Sequence, residues 1–202
     1  MVISRGKLTY DAEGMEGGRY HSRILHVPGS SSGLTLGRGY DMKEKSCEKV
    51  KTDLLAAGVD EQSACSVAEA AGLCGDEAVR FIYEHGLKHF EISTDEQERL
   101  FSASYDEMAA DVRRICNKPD CVRIYGAVDW DKLNDKIRDV LVDLRFRGDY
   151  TPHARKKIQK LVSANDLQGF TEVISERAIW KNVPQDRFER RVQYLRQQDA
   201  PD

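Results

Sequence analysis

Residues 33–41 read Gly-Leu-Thr-Leu-Gly-Arg-Gly-Tyr-Asp and carry the clearest structural signal in the chain. Leu34 and Leu36 alternate with other residues, a period that is typical of a short strand. Gly37 and Gly39 permit a tight turn or the close approach of another group, because glycine has no Cβ atom. The stretch therefore predicts a short strand that runs into a glycine turn.

Groups suited to acid–base chemistry surround this turn. Thr35 and Asp41 flank it, and a second carboxylate, Glu13, lies in the Asp-Ala-Glu-Gly segment at residues 11–14. Cleavage of a glycosidic bond needs two carboxyl groups that face one cleft. One protonates the leaving oxygen, and the other stabilises positive charge or activates water. The chain holds both groups at positions that a folded loop can bring together.

Three segments resemble phage-type lysozymes. Residues 35–41 resemble the Thr-Ile-Gly-x-Gly-Phe/Tyr-Asp segment of pesticin-like muramidases, and Glu13-Gly14 is similar to the Glu-Gly pair that carries their catalytic acid. Residues 180–187 are similar to the Trp-x-Asn-x-x-Pro-x-Arg region near the end of phage lysozymes, with the proline shifted by one residue. The middle of the chain, roughly residues 44–128, matches no such motif.

The resemblance implies a fold and a reaction. We expect an α+β, predominantly α, lysozyme-like fold with a small N-terminal lobe of short strands and a larger helical lobe. A single domain is expected over residues 1–202, with a catalytic segment at 1–43 and a helical body at 44–202. The implied reaction is hydrolysis of the β-1,4 bond between N-acetylmuramic acid and N-acetylglucosamine in peptidoglycan, without a cofactor or metal.

The resemblance also assigns catalytic roles. Glu13 is the expected general acid, whereas Asp41 and Thr35 would hold the attacking water on the opposite side of the bond. Glu16 is a rival for the acid, because it also stands in a Glu-Gly dipeptide. Asp41 has a structural alternative as the N-cap of the following helix.

Four further residues are candidates for substrate binding. Arg38 and Tyr40 would line the cleft, where a tyrosine ring can stack on a sugar, but packing around the turn is an equal alternative. His26 is a candidate for sugar contact, although a loop histidine is more often satisfied by backbone groups. Arg187 matches a phage-lysozyme arginine near the catalytic acid, and it would pair with Glu13 unless it lies on a helix surface.

Composition is that of a soluble globular protein. The 202 residues are 40% hydrophobic and 32% charged, and mean hydropathy is −0.59. No apolar stretch approaches a membrane span, and no signal peptide is visible at the N-terminus. The five cysteines include no Cys-x-x-Cys pair, so a zinc site is not expected. Reduced thiols fit a protein made in the cytoplasm.

The charge is uneven along the chain. Residues 44–111 contain 16 Asp and Glu against 6 Lys and Arg, whereas residues 145–196 contain 12 Lys and Arg against 6 Asp and Glu. A basic face would attract an anionic polymer such as peptidoglycan, with a solvated helical surface as the equal alternative. Nucleic acid is not an expected partner, because the basic residues lack interleaved exposed aromatics.

A second resemblance concerns delivery. The segments Tyr-His-Ser-Arg at residues 20–23 and His-Val-Pro-Gly at 26–29, followed by Gly-Arg-Gly-Tyr-Asp-Met, resemble the C-terminal lysozyme domains of type VI secretion effectors. That resemblance implies a monomer made in the cytoplasm that acts in the periplasm of a rival cell after secretion. It also implies an immunity protein as a cognate partner.

Two other classes of function compete with a glycosidase. Cys47 with His21 or His26 would form the nucleophile–base pair of a cysteine hydrolase, although no local signature supports it. The second competing class is an inactive module that binds the wall or a partner and has a lysozyme scaffold. Such a module would be expected to have lost the catalytic carboxylates.

Helices are predicted over most of the chain after the glycine turn. Glycines after residues 57, 71 and 85 indicate C-caps, Thr94 with Gln97 indicates a capping box, and Thr151-Pro152 indicates a helix start. The predicted segments are residues 43–57, 60–71, 76–85, 94–116, 130–146, 152 onward, 165–177 and 186–196.

Overall fold

The computed structural model describes residues 5–18 and 21–197. Tyr20, part of the segment compared with type VI effectors, lies outside the described residues.

One antiparallel pair of strands, β1 (Thr35–Leu36) and β2 (Tyr40–Asp41), accompanies the helices. The α-helices are α1 (Lys7–Ala12), α2 (Cys47–Ala57), α3 (Glu61–Ala68), α4 (Gly75–Glu84), α5 (Thr94–Cys116), α6 (Pro119–Tyr125), α7 (Asp135–Arg147), α8 (Pro152–Ser163), α9 (Leu167–Ile174) and α10 (Gln185–Arg196), with a 3-10 turn at Leu87–His89. The predicted α+β, mostly helical class is confirmed.

The chain forms two compact units, and α5 contributes to both. The first contains Glu13–Ser104, and the second contains Arg5–Ala12 with the chain from Tyr105 onward. The division predicted at residue 43 does not coincide with this boundary, because apolar residues of α2, α3 and α4 share one core with the hairpin. That core includes Leu34, Leu36, Tyr40, Met42, Val50, Leu54, Val67, Ala78 and Leu100.

The second unit has a core of its own. Its buried side chains come from α1, α5 and α7 to α10 and from the segments between helices. Within it, α1 packs against α7 and α10. The core includes Leu8, Val112, Ile137, Val140, Leu141, Leu144, Ile158, Phe170 and Trp180.

Three of the differences from expectation, at α2, α5 and α1, follow from local chemistry. α2 begins at Cys47 rather than residue 43, because the Ser46 hydroxyl caps it by accepting the Lys49 N–H. The capping box before α5 is Ser93 with Glu96, one residue earlier than predicted. Gln97 is not part of this capping box, and it is fully buried.

The third difference is α1, since short strands were expected around residues 1–43. An apolar residue, Leu8, enters the core of the second unit, and Lys7 bonds Asp11 one turn later at 2.7 Å. Such a spacing of four residues supports a helix. The helix ends at Ala12, immediately before Glu13.

Candidate active site

The hairpin places Thr35 directly opposite Asp41 and Leu36 directly opposite Tyr40. Directly opposed residues of an antiparallel pair project from the same face, and successive residues from opposite faces. Thr35 and Asp41 therefore share one face, while Leu36 and Tyr40 share the other. The second face is buried in the core of the first unit.

A third backbone segment extends the first face. The His26 N–H donates to the Thr35 carbonyl at 3.0 Å, and the Thr35 N–H donates to the His26 carbonyl at 2.8 Å. Thr35 is thus paired on both sides, with His26 on one and Asp41 on the other. His26, Thr35 and Asp41 form one row, here called the polar row. The sequence did not predict this alignment.

Thr35 and Asp41 both bind the peptide groups of Gly33. The Gly33 N–H donates to Asp41 Oδ2 at 3.3 Å, and Thr35 Oγ1 donates to the Gly33 carbonyl at 3.2 Å. The Lys43 N–H donates to Asp41 Oδ1 at 2.8 Å. Asp41 does not cap the following helix, because Ser46 fills that position. Its carboxylate is exposed and orders the backbone on both sides of the hairpin.

Glu13 lies against the turn of the same hairpin. A Cβ atom built on Gly39 would stand 3.1 Å from Glu13 Oε2, so the missing side chain of Gly39 leaves the space that the carboxyl group occupies. Gly39 has a φ of 81°, a conformation that other residues rarely adopt. The structure therefore brings Glu13 and the hairpin with Thr35 and Asp41 into one neighbourhood.

Glu16, the rival acid, is an ion-paired carboxylate. Its burial would raise its pKa, but hydrogen bonds from Gln97, Arg23 and Arg38 and the charge of Arg23 lower the pKa to about 2. The donors are Gln97 Nε2 at 2.7 Å, Arg23 Nε at 2.9 Å and Arg38 Nη2 at 3.2 Å. A general acid must hold a proton near neutral pH. Glu16 cannot, and this favours Glu13.

Arg38 holds the segment that follows Glu13. Its guanidinium donates to the Gly14 carbonyl at 2.6 Å as well as to Glu16, and only 7% of the residue is exposed. Gln97 joins the same cluster, since its Oε1 accepts the Ser22 hydroxyl at 2.7 Å. The cluster orders the backbone next to Glu13. Sequence reasoning missed Gln97 because a helix-start pattern accounted for it.

Two predicted sugar-binding residues are packed inside. Arg38 is occupied by Gly14 and Glu16, and Tyr40 is 3% exposed within the first core. The Tyr40 hydroxyl donates to Asp53 Oδ2 at 2.7 Å. A ring so enclosed presents no open face for stacking on a sugar. Both residues thus take the packing alternative.

Arg187 is buried in the second unit and bonds Asp143. Its Nη2 lies 2.6 Å from Asp143 Oδ1 and its Nε 3.1 Å from Asp143 Oδ2, while Nη1 donates to the carbonyl of Ala12 at 3.4 Å. The residue is 7% exposed, so it is not a helix-surface arginine. Its pairing with Glu13 stays a prediction, but Arg187 does fix the peptide group that precedes Glu13.

A family model matches residues 6–192 and is described as a domain of unknown function, DUF8812. The chain belongs to the DUF8812 family. This match spans both compact units and every residue of the candidate site. No curated protein matches the chain.

Residues 5–18 and 21–197 contain no group of three or more His, Cys, Asp and Glu side chains arranged to hold a metal ion. Within the same residues, no helix is both long and apolar enough to cross a membrane.

The depressed pKa of Glu16 predicts an acid-sensitive contribution to stability. A carboxylate with a folded-state pKa of about 2 against a usual 4.5 stabilises the fold above pH 4.5, and this stabilisation is lost as pH falls toward 2. Glu16→Gln should lower the free energy of unfolding by about 1 kcal/mol at pH 6, because the side chain is 45% exposed and water screens its charge. Urea unfolding of both proteins between pH 6 and pH 2.5 measures the difference.

That difference should shrink steadily below pH 4.5. Comparing the two proteins at each pH removes the contributions of all other carboxylates. An equal difference at pH 6 and pH 2.5 would show that the Glu16 charge does not stabilise the fold.

Proposed function

We propose that the chain is a peptidoglycan hydrolase that cleaves the β-1,4 bond between N-acetylmuramic acid and N-acetylglucosamine. The observation that carries the proposal is the position of Glu13 against Gly39, on the hairpin that bears Thr35 and Asp41. Glycosidic cleavage needs an acid and a water-holding group near one bond. Residues far apart in sequence supply both groups here.

Glu13 protonates the leaving oxygen in this proposal, while groups of the polar row hold the attacking water. Arg38 and Glu16 keep the backbone after Glu13 in place, and Arg187 keeps the peptide group before it in place. Placement matters because an acid displaced by about 1 Å loses much of its catalytic effect. The ordered backbone on both sides of Glu13 is what such an acid requires.

The resemblance to lysozyme domains of type VI effectors supports a role in attack on a rival's cell wall. Under this proposal the substrate lies in the periplasm of the target cell, and an immunity protein protects the producer.

His21 is not available as the base of a cysteine hydrolase. His21 Nδ1 accepts the Gly17 N–H at 2.8 Å, and its Nε2 bonds Glu91 at 3.1 Å. Both ring nitrogens are engaged, so His21 is not placed to deprotonate Cys47. Cys47 itself is the exposed first residue of α2.

Mass analysis of fragments released from purified peptidoglycan tests the proposal. Hydrolysis yields disaccharide muropeptides with a reducing N-acetylmuramic acid end, whereas a 1,6-anhydro end would indicate lytic transglycosylation. Glu13→Gln is the matched inactive control. Binding to the wall without any released fragment would favour the inactive wall-binding module, and cleaved peptide stems would indicate another enzyme class.

Gly39→Ala should reduce fragment release, because its methyl carbon would stand 3.1 Å from Glu13 Oε2 and push the carboxyl group a few tenths of an ångström from its position. Gly37→Ala is the matched control. Gly37 also has a left-handed φ, of 60°, but its added Cβ would meet neighbours only at 3.6 Å or more. Both variants carry the backbone strain, and Gly39→Ala alone crowds Glu13. Equal activity of the two variants would contradict the placement of Glu13.

A further inference from the structure

Besides Asp41, the polar row contains a second group that is able to take up a proton, the imidazole of His26. His26 Nδ1 lies 3.0 Å from the carbonyl oxygen of Ile24. A carbonyl oxygen only accepts hydrogen bonds, so Nδ1 carries the ring proton and Nε2 carries a lone pair. The backbone contact thus fixes the tautomer that can act as a base. The side chain is partly buried beside Thr35.

We infer that His26 Nε2 is the base that deprotonates the attacking water. The inference rests on the proposed function and adds a catalytic residue to it. His26 and Thr35 are direct cross-strand partners, and the Cβ atoms of such partners lie about 4.5–5.5 Å apart. The two side chains therefore project from the same face, and in this inference the attacking water lies between the Thr35 hydroxyl and the imidazole.

Asp41 is less suited to this step because its two oxygens already order the hairpin. Oδ2 accepts the Gly33 N–H and Oδ1 accepts the Lys43 N–H. Gly33 packs closely against the carboxylate, since an added Cβ there would overlap Asp41 Oδ1 and lie 2.6 Å from the Lys43 nitrogen. A base must bind and release a proton in each turnover, and Asp41 would have to do so while it holds both backbone groups. We assign Asp41 to positioning.

The reaction step balances without any further reactant. The water oxygen forms a bond to C1 of N-acetylmuramic acid, and one water proton passes to His26 Nε2. The bond from C1 to the leaving oxygen of N-acetylglucosamine breaks, and that oxygen takes the proton of Glu13. Proton return from His26 to Glu13 through solvent restores both groups. Attack from the side opposite the leaving group inverts the anomeric carbon.

Chemical rescue tests the inference. His26→Ala should lower the rate of fragment release by roughly a hundred- to ten-thousand-fold, the usual contribution of a general base. Sodium azide should restore release, because azide is a nucleophile that needs no deprotonation, and the product should be a glycosyl azide of inverted configuration. His26→Asn is the second variant, since its amide keeps a donor for the Ile24 carbonyl but supplies no base.

Asp41→Ala under the same conditions is the comparison. A glycosyl azide from the Asp41 variant but not from the His26 variants would assign the base to Asp41 and overturn the inference. Full activity of folded His26→Asn would overturn it as well. Fragment release by the unaltered chain keeps the proposed function intact in both cases. An unaltered chain that releases nothing would contradict the proposed function itself, and the inference with it.

Discussion

Glu13→Gln should leave the chain folded and reduce fragment release from peptidoglycan by roughly a hundred- to ten-thousand-fold. Glutamine has nearly the same shape as glutamate, so the contact with Gly39 is retained while the transferable proton is lost. The measurement is the initial rate of muropeptide release, with circular dichroism as the check on folding.

Glu84→Gln is the matched control for this variant. Glu84 is an exposed residue at the end of α4, and the same chemical change there should leave the rate unchanged. If the Glu13→Gln protein were as active as the control, Glu13 would have no part in the reaction. If Glu16→Gln lost activity while Glu13→Gln kept it, Glu16 would be the general acid in spite of its low pKa.

Asp143→Asn should lower the free energy of unfolding by about 3–5 kcal/mol. Asp143 is fully buried, and it binds Arg187 Nη2 at 2.6 Å and Arg191 Nε at 2.6 Å. Asn keeps the shape but removes the charge, so two buried guanidinium groups lose their shared counter-ion. Urea denaturation followed by circular dichroism measures the loss.

Asp135→Asn on the same helix supplies the comparison. The Asp135 side chain is 86% exposed and pairs with Arg138 at 3.1 Å, a surface ion pair that contributes less than about 1 kcal/mol. An Asp143→Asn protein no less stable than the Asp135→Asn protein would show that the buried network does not hold the second unit together.

Periodic apolar residues made much of the helical fold predictable. The stripe at Ile137, Val140, Leu141 and Leu144 predicted α7, and Thr151-Pro152 predicted the start of α8; the structure has both. The same pattern could not reveal Asp143, a charged residue among those apolar positions. Its burial depends on two arginines of α10 that lie more than 40 positions away.

The candidate site was predictable where its geometry is local. The alternation predicted a short strand that runs into a glycine turn flanked by Thr35 and Asp41, and the structure has a two-stranded hairpin there. The pairing of His26 with Thr35 depends on the register between two separate segments, and a local sequence pattern cannot predict that register. The difference between Glu13 and Glu16 likewise depends on donors at residues 23, 38 and 97, and the sequence alone offered only their shared Glu-Gly context.

Both candidate carboxylates lie against glycines, and this has an evolutionary consequence. A side chain at position 33 would overlap Asp41, and one at position 39 would crowd Glu13. Within the DUF8812 family, a member that replaces either glycine must therefore also change or relocate the carboxylate beside it. Substitutions at 33 and 41 should covary, as should those at 39 and 13, so a homologue that lacks one of these glycines should also lack the carboxylate beside it.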